Sequence, residues 1–150
     1  MFEKVSAEVL AERERIAARV RDELAAAGLP VVAPGLSIEL SQGAEVTVCP
    51  LQDCEAGVTV AWNASPRLRS CMARAAELAL VNDPALRHGG TVLEAMLPAI
   101  AAILASAGFD VRDSLNDYAS FTLEVLAGPS GRPVWAPHDE EIARPDRSQE

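Results

Sequence analysis

Apolar residues from Ser6 onward recur at helical spacing. Val9, Ile16, Val20, Leu24 and Ala27 fall on one side of a helix that Ser6 caps and that Gly28 and Pro30 end. Its outer side mixes Glu8, Glu12, Glu14, Asp22 and Glu23 with Arg13, Arg15, Arg19 and Arg21 and reads as a solvated face. The period then changes. After a stretch punctuated by Pro and Gly from Leu29 to Gly43, with a short strand expected around Leu36 to Leu40, Val46 and Val48 alternate with Glu45 and Thr47, and Val58, Val60 and Trp62 with Thr59 and Ala61. The pattern predicts a hairpin with Val46, Val48, Val58, Val60 and Trp62 toward the helices and Thr47, Cys49 and Thr59 away from them.

Ser65 and Pro66 open a second helix expected to run to about Val81, broken by Asn82, Asp83 and Pro84. Gly89 and Gly90 then mark a turn, and Thr91 with Glu94 forms a capping box for a third helix ending at Ala107 and Gly108. Phe121, Leu123 and Val125 alternate as a last strand, with a short one ahead of it at Phe109 to Arg112. Strands and helices that do not alternate regularly indicate an α+β, two-layer domain over residues 1–127, with a small antiparallel sheet of three to five strands packed on about three helices. Residues 128–150 hold four prolines and many charges and are expected to form a mostly disordered, acidic tail. In element order the amphipathic helix ending in "GLP", followed by strands in a small acidic chain, resembles the secretion-type chaperones. The paired helices at 66–107 depart from that order, so no residue role carries over.

Composition sharpens this picture in two ways. An aromatic fraction of 4% beside a hydrophobic fraction of 49% means an aliphatic core. A net charge of −9 argues against nucleic acid or an anionic membrane as partner, since most of the surface repels both. The start, "MFEKVSAEVLAERER", lacks the basic and apolar regions of a secretory signal, so a cytoplasmic location is expected, with the three cysteines reduced.

Candidate chemistry is sparse. Cys49, Cys54, Cys71 and His88 lack the short paired spacing of a zinc site, Cys49 and Cys54 lack the CxxC spacing of a redox pair, and Cys71 falls on the apolar stripe of the second helix. The "HGG" at 88–90 has no nucleophile elbow to serve, and His138, Asp139, Glu140 and Glu141 lie in the tail. No catalytic residue, metal or cofactor is therefore assigned.

Arg67 and Arg69 stand in the first turn of the second helix, where cations are disfavoured, which makes Ser65, Arg67 and Arg69 a candidate anion site. The third helix is apolar nearly all round, with Glu94 its one charge between Val92 and Ala107. Either helices one and two flank it as a buried central helix, or its remaining face forms a symmetric interface, with Val92, Met96, Ile100, Ile103 and Leu104 the candidate seam of a homodimer; the two are compatible. The leading expectation is a non-enzymatic, adaptor- or chaperone-like protein that binds a partner protein or peptide. The alternative is a binder of, or enzyme on, an anionic small molecule at Ser65–Arg69.

Overall fold

A computed structural model describes residues 3–37, 39–114 and 121–136; the acid cluster expected at 138–141 and the rest of 137–150 lie outside the described residues. The elements run α1 (Ala7–Ala26), β1 (Gly43–Val48), β2 (Val58–Asn63), α2 (Pro66–Glu77), α3 (Pro84–Ser106), β3 (Asp110–Asp113) and β4 (Thr122–Ala127). The four strands form one antiparallel sheet in the order β1-β2-β4-β3, so the chain is a two-layer α+β fold.

Strand alternation sorts the sheet into two faces. Register aligns Val46, Val60 and Leu123 in one row and Val48, Val58, Val125 and Val111 in another. These rows pack against Ile16, Ala17, Val20 and Leu24 of α1 and Leu97, Ile100 and Leu104 of α3. Trp62 joins them half-buried, as the alternation predicts. The opposite face carries the row Thr47, Thr59, Glu124 and Arg112. There Arg112 Nε donates to Glu124 Oε2 at 2.7 Å and Nη2 to Glu55 Oε2 at 3.3 Å. Glu124 first, then Glu55, push the Arg112 guanidinium above its ordinary pKa.

Helix ends depart from expectation where packing outweighs local signals. Ser6 and Ser65 cap α1 and α2 as predicted, each Oγ accepting at 3.3 Å from the backbone N–H three residues on. However, α2 ends at Glu77 rather than near Val81, because Ala79 takes a left-handed conformation (φ 54°) and Leu80 N–H turns back to Ala75 C=O. More consequentially, no turn forms at Gly89 and Gly90. Asp83 caps α3 instead, its Oδ1 accepting from Ala85 N–H at 2.9 Å ahead of Pro84, and the helix runs through both glycines. Thr91 becomes an interior residue whose hydroxyl donates to Arg87 C=O at 3.0 Å. Gly89 leaves room for the Met72 side chain against the α3 backbone, which closes α2 and α3 into a helical hairpin. The strand expected at Leu36–Leu40 is absent among the described residues; Leu36 and Leu40 are exposed, and Val31 bridges the start of β1 at Ala44.

The cysteines also differ from expectation. Cys49 and Cys54 are joined in a disulfide, their Cα atoms 6.4 Å apart across the β1–β2 loop, while Cys71 is exposed on α2 rather than part of its buried side. The hairpin folds the loop back on itself and so brings together two thiols whose spacing alone suggested no pairing.

Candidate functional site

The charged side of α1 is where the chain departs most from its sequence reading. Residues four apart on a helix share a face, and Arg15, Arg19 and Glu23 form such a stripe. A segment from the far end of the chain lies along it. Arg15 Nη1 donates to Pro129 C=O at 3.1 Å, Arg19 donates to Gly131 C=O, and Trp135 Nε1 donates to Glu23 Oε2 at 2.7 Å. Glu23 is thereby buried, at 5% exposure, although the sequence placed it on a solvated face. Arg15 is itself held by Glu12, whose carboxylate accepts from Nε at 2.9 Å and Nη2 at 2.7 Å. That bond holds the Glu12 carboxyl below its ordinary pKa.

The strap, residues 128–136, begins under tight constraint. A Cβ on Gly128 would stand 2.7 Å from the Phe109 ring, and Pro129 lies over Gly108. Further along it is lightly held: Trp135 remains 62% exposed and Val134 67%. Beside Trp135 an open groove of about 470 Å³ separates α1 from α3, lined by Ala26 and Ala27 on one side and Ala102, Ile103 and Ala107 on the other. Its walls are apolar, and Glu23 is the one acidic group lining it among the described residues.

Arg13, on the same helix, organises a second region. Its Nη1 donates to Cys49 C=O at 2.7 Å and Leu51 C=O at 3.0 Å, and its Nη2 to Cys54 C=O at 3.1 Å. Gly57 is packed so closely against this side chain that any Cβ would collide with it. The disulfide loop also pairs with the N-terminal segment through Val5 N–H to Pro50 C=O and Gln52 N–H to Glu3 C=O, each 2.9 Å.

The residues singled out from sequence are distributed as follows. Ser65 Oγ caps α2, and Arg67 is exposed. Arg69 folds back so that Nη2 donates to Ser41 C=O at 2.5 Å, beside Asn63, which bonds Ser41 Oγ and Glu45. Two residues apart on the helix, the arginines point in different directions, and the structure does not bring them together. The seam proposed for α3 also divides. Ile100 and Leu104 are fully buried in the chain's own core and cannot face a second copy, whereas Val92, Met96 and Ile103 are half-buried at its rim. The outward side carries Ala95, Ala99, Ala102 and Ser106. His88 is exposed on α3, apart from the cysteines.

No family model matches the chain, and no curated protein or solved structure is significantly similar to it.

Proposed function

We propose that the chain is a non-enzymatic interaction protein, adaptor- or chaperone-like in action, that works as a homodimer. One observation carries the reading: the most apolar stretch of α3 has a mean hydropathy of 1.6 yet only 22% of it is buried. By length and composition this helix matches a membrane span, but Leu97, Ile100 and Leu104 tie it to the sheet core. Its outer side, together with exposed Leu78, Leu80 and Val81 at the end of α2, leaves an apolar surface of the kind that associates.

A second copy suits that surface on two counts. Helix α3 is about 35 Å long and α2 about 18 Å at 1.5 Å per residue, and each packed helix is about 10 Å wide, so the hairpin presents roughly 530 Å² and two copies cover roughly 1,000 Å² in all, the lower bound of a specific interface. Charge agrees. From Ser65 to Phe109 four arginines stand against three acids in a chain of net charge −9, so two copies meeting here escape the repulsion that the rest of the surface imposes.

Sedimentation velocity tests the dimer. The wild-type chain is expected to sediment at twice 15.9 kDa at micromolar concentration. Ala99→Glu, which adds a carboxylate to a position exposed in the single chain, is expected to give a folded monomer. A wild-type monomer at high micromolar concentration refutes the reading.

A further inference from the structure

We infer that the α1 stripe Arg15, Arg19 and Glu23, with the groove beside it, is a binding site for a peptide that bends at a glycine and turns at a tryptophan, and that residues 128–136, which bend at Gly131 and close a turn from Ala136 N–H to Pro133 C=O, are its resting occupant, displaced when a partner binds. The chemistry of the ligand is read from the occupant already in place. Two arginines receive main-chain carbonyls, which any peptide with an open backbone offers, and a buried carboxylate receives an indole N–H, which only tryptophan offers among the standard side chains. The first contacts fix register and the last selects sequence, with main-chain bonds giving affinity and a side-chain pocket giving specificity.

The strap fits this site incompletely, which is what a displaceable occupant requires. Arg19 Nη2 is shielded from solvent yet has no acceptor among the described residues. Trp135 leaves most of its ring in water beside an apolar groove of about 470 Å³. A partner with a carboxylate next to the carbonyl that Arg19 receives would satisfy the orphan donor, and one whose indole reaches farther into the groove would bury more apolar surface. Such a peptide gains contacts that the strap does not make. This offsets the strap's advantage of being tethered, which for a short linker is equivalent to a local concentration of order millimolar.

The inference goes beyond the homodimer reading and does not depend on it; because Ala102 and Ser106 belong both to the outer side of α3 and to the groove, peptide capture is read in the Ala99→Glu background as well as in the wild-type one. The probe is a fluorescein-labelled, capped peptide of residues 128–136 (GPSGRPVWA), followed by anisotropy on the full-length protein. The Trp135→Ala chain is expected to bind it at least tenfold more tightly than wild type. Replacing the peptide's Trp by Ala, or adding Glu23→Leu to the Trp135→Ala chain, is expected to abolish that binding. A Ser130→Asp peptide is expected to bind at least threefold more tightly than the parent, and Arg19→Ala to cancel the increment. Should Trp135→Ala fail to fold by circular dichroism, Trp135→Phe, which keeps an aromatic ring of smaller size and loses the N–H, carries the same measurement. The site is refuted if the tryptophan-substituted chain captures the peptide no better than wild type, or if the Trp-to-Ala peptide binds as well as its parent. Association of the wild-type chain that disappears with Trp135→Phe would assign the site to a second copy's strap and overturn the partner reading.

Discussion

Three carbonyls of one loop, those of Cys49, Leu51 and Cys54, end on the guanidinium of Arg13, a geometry that only a planar fork of donors can satisfy at once. Arg13→Lys is therefore expected to destabilise the protein by about 2 kcal/mol, since one ammonium cannot replace three charge-assisted bonds, and to speed amide exchange in residues 49–57. Chemical denaturation and hydrogen exchange measure the two effects. A pH dependence follows from Glu12. Because its carboxyl titrates lower in the folded chain than unfolded, the Glu12–Arg15 pair stabilises the fold above the ordinary carboxylate range, and the contribution is lost as pH falls through the lowered value. Glu12→Gln is expected to remove that acid-side dependence and to loosen the strap at neutral pH, read as exchange at Gly131. None of these roles was legible in the sequence. Helical spacing reveals that Arg13, Arg15 and Arg19 lie outside the apolar stripe, but not that a hairpin loop and a segment more than a hundred residues later will supply the acceptors.

Elements were far more legible, because their signals are local. Serine caps, period-two valines and the glycines after α1 and α3 all mark what forms; Gly28 and Gly108 adopt positive φ (90° and 96°) where each helix turns back on itself. The failures are equally instructive. Asp83-Pro84 and Thr91-x-x-Glu94 are competing start signals for one helix, and the fit of Met72 against Gly89 rewards the earlier one, information that exists only once α2 is folded. Helix α2 ends on Ala79 in the left-handed region that its counterparts fill with glycine, so Ala79→Gly is expected to stabilise by about 1 kcal/mol. Gly90 is a helix-interior glycine with open space where a Cβ would stand, and Gly90→Ala is expected to add about 0.5 to 1 kcal/mol. Thermal melts of the two single variants and the double check both signs and their additivity.

At the scale of the molecule, two layers and an antiparallel sheet followed from the pattern of elements, whereas strand order did not, since alternation fixes a strand's faces and leaves its neighbours open. Every residue of the core cluster precedes Gly128. Removing residues 129–150 is thus expected to lower the melting temperature by only a few degrees while leaving the sheet intact by circular dichroism. The strand order has a kinetic consequence. The hairpins β1–β2 and β3–β4 join near neighbours in sequence, but the central seam pairs Val58 with Val125 and Val60 with Leu123 across the whole α2–α3 hairpin. Closing so long a loop forfeits chain entropy before any contact compensates it, so the seam is the slow event and the prefolded helical hairpin is what shortens the search. Weakening the grip of α2 on α3 should then retard folding more than it hastens unfolding, even though α2 itself makes up little of the core.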